Sequence, residues 1–221
     1  MKVEALVETA PFPECETTRA SAQQVFLVRH GETDRSLSGH RTGVSDENPL
    51  TEHARHTARG WGPVLARERF ALVLTSPLGR ARTTCTLAGL GDLAETDWDL
   101  REWDYGEYEG LTANEIQARE LGWILFRDGC PHGDSPEAVS TRVDRVIDRV
   151  RATKGHVALF AHGHVFQVLA ARWLGLPAFA GHHFLLDTAT LNILSYDNGI
   201  PAIKRWNAPL GPPAEETLED A

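Results

Sequence analysis

Apolar residues along this chain come in short unbroken runs, separated by longer stretches with helical spacing. Five runs read as strands: residues 24–28, LVLT at 72–75, VALFA at 157–161, TLNILSY at 190–196 and AIKRW at 202–206. Several are apolar throughout, as expected of strands covered on both faces. Between them, SPEAVSTRVDRVIDRV places Val139, Val143, Val146, Ile147 and Val150 on one helical stripe, with Pro136 near its start. TANE at 112–115 is a capping-box pattern that opens another helix. Residues 51–68, 79–90 and 164–175 also carry helical patterns, the first weakened by Gly60 and Gly62. Strands alternating with helices predict an α/β domain with a mostly parallel, helix-covered central sheet. That domain is expected over residues 24–207, between a polar N-terminal tail (1–23) and a Pro-rich, acidic C-terminal tail (208–221).

Composition narrows the setting. A chain of 221 residues is long enough for one domain with a substantial core. The net charge is -9 and no Lys/Arg-rich run is present, so no electrostatic footprint for nucleic acid exists. No apolar run approaches the length of a membrane span. Cys15, Cys85 and Cys130 are odd in number and far apart, which suggests neither a disulfide framework nor a metal knuckle. With an N-terminus that lacks an apolar signal, this leads us to expect a reducing, cytoplasmic setting. A homo-oligomer is compatible with the sequence.

In parallel sheets, ligands bind beyond the carboxyl ends of the strands. Arg29 and His30 follow directly on the first run. LTSPLGRARTT passes from strand to helix and supplies Arg80 and Arg82. LFAHGHVF ends a strand with His162, Gly163 and His164. LREWDYGEYEG is a loop with four acids, Trp103 and two tyrosines. A parallel sheet would gather Arg29, His30, His162 and one of Arg80 and Arg82 at one edge; on a helix those two arginines point to different sides, and spacing does not choose between them. Packed cations repel unless an anion joins them, and a phosphoryl group suits Arg forks and imidazole donors. A cationic neighbourhood also lowers a His pKa, leaving one ring nitrogen as a nucleophile. Gly31 lets backbone and ligand approach closely. Phosphoryl transfer then needs charge stabilisation and a proton, which a loop acid could supply. Each residue alone has a structural reading: a satisfied core His, or an Arg in a surface salt bridge. Their shared location favours chemistry. HGH, CPH at 130–132 and HH at 182–183 raise the question of metal, but no HExxH or carboxylate-rich spacing supports it, and no metal or cofactor is expected.

VRHGETD, SPLGRARTT, LREWDYGEYEG and FAHGH resemble, in order, the four signatures of the histidine phosphatase superfamily, the phosphoglycerate-mutase-like clan. The resemblance implies a three-layer α/β/α sandwich and a metal-independent phosphatase acting on small phosphate monoesters, such as sugar phosphates. It implies His30 as the nucleophile forming a phosphohistidine, Arg29, Arg80 and His162 as holders of the phosphoryl group, and Glu102 as general acid and then base. Arg82 becomes structural. SLSGHRTGVSD, RDGCPHGDS and FLLDTATLNILSYDNG resemble the branch of sedoheptulose-bisphosphatase-like enzymes and short bacterial acid phosphatases. That branch implies Ser36, Thr42 and Gly43 on the substrate side, Tyr105 nearby and Ser135 bordering the pocket. Two positions depart from it. Gln167 stands where relatives often carry Arg, which weakens the expectation of a second phosphate clamp, and Arg35 stands where Trp is frequent. The competing reading is a cofactor-dependent phosphoglycerate mutase, which resembles this chain but uses a long insertion between the acid and the second His. Glu102 and His162 lie only 60 positions apart (162 − 102), which favours water as the acceptor. A non-catalytic phospho-ligand binder is the other alternative; such proteins typically lose the nucleophile or the acid, and both are present. The aromatics Trp103, Tyr105, Trp123 and Phe126 are candidate walls for an organic group.

Overall fold

A computed structural model of the chain describes residues 23–45 and 48–209. Of the two predicted tails, residues 1–22 and 210–221 lie outside the described residues, as does Cys15. Six strands form one sheet: β1 (Val25–Arg29), β2 (Phe70–Thr75), β3 (Ala94–Thr96), β4 (His156–Ala161), β5 (Thr190–Asp197) and β6 (Ile200–Pro209), in the order β3-β2-β4-β1-β5-β6. β3, β2, β4 and β1 run parallel to one another. β5 and β6 add an antiparallel hairpin on the β1 side. β6 runs to Pro209, two residues into the segment read as tail.

Alternation along the central strands explains the layers. Val25 and Leu27 of β1, with Val157 and Leu159 of β4, enter one apolar cluster; Phe26 and Val28, with Ala158 and Phe160, enter a second. Successive side chains point to opposite faces, so an all-apolar strand needs cover on both. Helices α2 (Glu52–Leu65) and α3 (Gly79–Leu87) cover the Phe26 side through Trp61, Leu65 and Cys85. Helices α6 (Pro136–Ala152) and α7 (Gly163–Trp173) cover the other, with the short helices α4 (Ala113–Arg119) and α5 (Leu125–Asp128) beside them. The result is the expected α/β/α sandwich.

Local chemistry sets the helix ends. Ser135 caps α6 by accepting the Ala138 N–H at 3.2 Å, and the whole predicted Val/Ile stripe is buried. Thr51 caps α2 in the same way, at 3.1 Å from the Ala54 nitrogen. α2 stops at Leu65, three residues short of its predicted end, where Gly60, Gly62 and Pro63 depress helix propensity. A one-turn helix, α1 (Asp34–Leu37), follows β1. Cys85 and Cys130 are buried free thiols, each pushed up to about 12 chiefly by burial. Among the described residues no helix is long and apolar enough to cross a membrane.

Candidate active site

Register brings the strand ends together. Arg29 pairs with Ala161 across β1 and β4, and Thr75 pairs with Phe160 across β2 and β4. The residues that follow continue the ladder: His30 N–H donates to the Ala161 carbonyl at 3.0 Å, and Ser76 N–H to the Phe160 carbonyl at 2.8 Å. His30, Ser76 and His162 therefore emerge at one level of one edge. The His30 and His162 rings lie 5.1 Å apart between centroids, tilted by 58°.

One nitrogen of each ring is engaged by a hydrogen bond, which for His30 fixes the tautomer. His30 Nδ1 is 2.7 Å from the Gly31 carbonyl. A carbonyl only accepts, so Nδ1 carries the proton and Nε2 keeps its lone pair. His162 Nε2 lies 2.7 Å from Ser76 Oγ, and that oxygen also accepts the Leu78 N–H at 3.3 Å. Ser76 thus engages Nε2 of His162 and leaves its Nδ1 buried and without a partner. Burial, then the Arg80 and Arg29 charges, hold His30 well below the usual imidazole pKa, against a smaller opposing pull from the Gly31 carbonyl. Burial first, then Arg80, His30, Arg29 and Arg142, do the same for His162.

The arginines are held from different sides. Arg29 donates to the Leu186 carbonyl, and its buried Nε has no partner. Gly163 packs onto its guanidinium; a Cβ there would sit 3.2 Å from Arg29 Cζ. In the first turn of α3, Arg80 is buried and Arg82 is exposed. Arg80 donates to the carbonyls of Ser45 at 2.8 Å, Thr42 at 2.9 Å and Gly43 at 2.7 Å. Thr42 and Gly43 are thus joined to the cluster through their backbones. No side chain fits at Gly43, where a Cβ would fall 2.1 Å from the Trp103 carbonyl. At Gly31 the close neighbour is a different one: a Cβ there would fall 2.8 Å from Ala54 Cβ of α2.

Glu102 is buried at the start of α7. Its Oε1 accepts the Trp103 and Val165 N–H groups, both at 3.0 Å, and its Oε2 accepts the His164 N–H at 3.1 Å. A carboxylate suits a helix N-terminus, where N–H groups lack intrahelical partners. The loop carrying Glu102 is clamped by Arg142 of α6, which donates to the carbonyls of Asp99 at 2.7 Å, Arg101 at 2.6 Å and Glu102 at 3.2 Å, and pairs with Asp134 at 3.3 Å.

The remaining sequence candidates fall as follows. Tyr105 is buried and its hydroxyl shares a hydrogen bond with His164 Nδ1. The Ser36 hydroxyl is taken by the capping box of α1, and that of Ser135 by the cap of α6. Arg35 is exposed, whereas Gln167 lines a cavity next to the cluster, with Trp123 and Phe126. Trp103 lies wholly in the core. Arg41, Ser76, Arg142 and the ring of His164 also lie at or beside the cluster, and of these the sequence singles out only His164, inside HGH. Among the described residues no three His, Cys, Asp or Glu side chains gather to hold an ion.

The buried rings of His30 and His162, and the half-buried ring of His164, carry a stability consequence. His164 is also held well below the usual value, chiefly by burial and then by Arg41 and Arg29. Below about pH 6.5 the unfolded chain protonates these rings while the native protein keeps them neutral, so the unfolded state binds more protons and stability falls with falling pH. Each neutral ring adds a slope of about 1.4 kcal/mol per pH unit in that window. The thermal midpoint of the phosphate-free protein is therefore expected to drop steeply from about pH 6.5 towards pH 5, and less steeply in His164→Gln. A midpoint flat across that range would contradict these burial assignments.

Residues 25–209 match the profile of the histidine phosphatase superfamily (branch 1). The chain is 35% identical over 181 residues to an acid phosphatase of Mycobacterium tuberculosis, covering 80% of this chain and 88% of that protein. It is 31% identical over 213 residues to the sedoheptulose 1,7-bisphosphatase of Saccharomyces cerevisiae, covering 81% of this chain and 77% of that one. The solved structure of the Rv3214 product of Mycobacterium tuberculosis superposes with a TM-score of 0.81 at 32% identity, covering 86% of this chain and 99% of the other. With two histidines and two arginines meeting at the sheet edge and the matched profile spanning nearly all the described residues, the chain belongs to the histidine phosphatase superfamily, branch 1.

Proposed function

We propose that this protein is a phosphatase that hydrolyses small phosphate monoesters through a phosphohistidine on His30, with water as the acceptor. The observation that carries the reading is the bare Nε2 of His30, buried beside His162 and under the field of two guanidiniums. In the first step Nε2 attacks phosphorus and the bond from phosphorus to the ester oxygen breaks. In this step Glu102 acts in its protonated form, gives that proton to the departing oxygen and becomes the carboxylate. In the second step water attacks the phosphohistidine, Glu102 takes a proton from that water, and the P–N bond electrons return to Nε2. Arg29, Arg80 and the Nδ1–H of His162 hold the three non-bridging oxygens throughout, so charge stabilisation falls to groups already in place.

Water as acceptor is supported by two of the relatives, which are named as phosphatases. The short segment between Glu102 and His162 supports it as well. It is occupied by α4, α5, α6 and β4, which build the layer over the sheet. The test is p-nitrophenyl phosphate hydrolysis in metal-free buffer. Turnover is expected without added metal, and orthovanadate is expected to inhibit by matching the five-coordinate phosphoryl group. Activity that EDTA abolishes and zinc restores would overturn the reading.

A further inference from the structure

Next to the phosphoryl site lies a cavity of about 310 Å³, large enough for a small organic group. Its lining includes Arg41, Trp123, Phe126, His164, Gln167 and His182, and among the described residues it includes no Asp or Glu. His164 is the wall shared with the catalytic cluster. Its backbone N–H meets Glu102 Oε2 at 3.1 Å, and its ring Nε2 lies 3.4 Å from an Arg41 nitrogen. An ester oxygen leaving at Glu102 therefore carries its carbon skeleton along His164 towards Arg41.

Arg41 is held in place without being neutralised. Its guanidinium carbon lies 5.2 Å from the Trp123 ring centroid and 5.5 Å from that of Tyr105. The rings orient it, as cation–π partners do. Its Nε is buried with no hydrogen-bond partner, and among the described residues no carboxylate lies within salt-bridge distance. A half-buried guanidinium that lines a cavity with no counter-ion within reach has donors left for an arriving anion, and a charge-assisted contact there strengthens binding. Gln167 does not supply such a charge: its amide N–H is committed to the Phe184 carbonyl.

Resting on the phosphatase reading, we propose that Arg41 is the receptor for a second anionic group on the alcohol side of the ester. The substrate class is then a small phosphate monoester whose leaving alcohol bears its own carboxylate or phosphate. The charge that an arginine at position 167 would have supplied comes instead from Arg41, at another part of the lining.

The test compares esters that differ only in the second anion. 3-Phosphoglycerate is set against glycerol 3-phosphate for a carboxylate, and fructose 1,6-bisphosphate against fructose 6-phosphate for a phosphate. p-Nitrophenyl phosphate serves as the reference for turnover. In at least one pair the anion-bearing ester is expected to have a kcat/KM roughly tenfold or more above its partner, as one charge-assisted contact provides. Which pair responds identifies the anion. Arg41→Gln is expected to bring that ratio close to one, and Arg41→Lys to keep part of it. Wild-type ratios near one in both pairs, with p-nitrophenyl phosphate still hydrolysed, would overturn this inference alone; so would a ratio that survives Arg41→Gln. Because the wild-type comparison needs no variant, a misfolded mutant does not spare the proposal. Failure to hydrolyse any of the five esters would instead overturn the phosphatase reading, and this inference with it.

Discussion

His30→Ala is expected to lose at least about 10⁴-fold in turnover of p-nitrophenyl phosphate while keeping its fold. The size of the loss follows from what disappears. Without the ring no nitrogen stands ready to take the phosphoryl group, and a weaker direct attack by water is all that remains. The fold should persist because His30 is tied to β4 through its backbone N–H and to Ala189 through its carbonyl, and both bonds survive in alanine. Steady-state rates and a thermal scan on the same preparation separate the two effects. A variant within about tenfold of wild type would remove His30 from the chemistry.

Glu102→Gln is expected to slow hydrolysis of alkyl phosphates by about 10²- to 10⁴-fold, with a smaller loss for p-nitrophenyl phosphate. The difference arises because an alkoxide needs a proton to leave and a nitrophenolate hardly does. The substitution also has a structural cost. Oε1 and Oε2 together accept three backbone N–H groups. A glutamine offers one oxygen, so its NH₂ must face at least one of those donors, leaving a buried polar group unsatisfied at a cost of about 1–3 kcal/mol. Arg82→Ala, at an exposed position, is expected to stay within about twofold of wild type. A larger loss from Arg82→Ala than from Glu102→Gln would reverse the assigned roles. Rates on glycerol 3-phosphate and p-nitrophenyl phosphate, measured side by side, supply the comparison.

Features written in local patterns could be read from the sequence. β1, β2, β4, β5 and β6 are apolar enough to stand out, and the Val/Ile stripe of α6 is buried as its period requires. β3 was missed because Ala94–Thr96 is a three-residue edge strand with no apolar signature. α5 and the 3₁₀ segments at Trp98–Leu100 and Gly106–Tyr108 were missed because one turn of helix has no period to detect. At the candidate site, His30, His162 and Glu102 stand out in the sequence because strand ends and ordered motifs mark them, and the His30 and His162 rings do meet at one sheet edge. Spacing does not choose between Arg80 and Arg82, and the resemblance implies Arg80; the packing of α3 buries Arg80 and exposes Arg82. Arg142 had no local signal at all. It reads as an ordinary charged helix residue, yet it is buried because its acceptors sit on a loop some forty positions away. Arg41 was hidden in the same way, since its aromatic neighbours come from two separate loops.

The central claim is that a phosphoryl group rests on one particular nitrogen between two displacements. Rapid quenching of the enzyme in mid-turnover, under alkaline conditions that preserve phosphoramidates, followed by peptide mass spectrometry, tests it most directly. The expected result is up to one phosphate per chain, on the peptide containing His30, attached at Nε2 and absent from His30→Ala. Phosphate carried by another residue, or inversion at a chiral phosphorus with no phosphoenzyme formed, would contradict it.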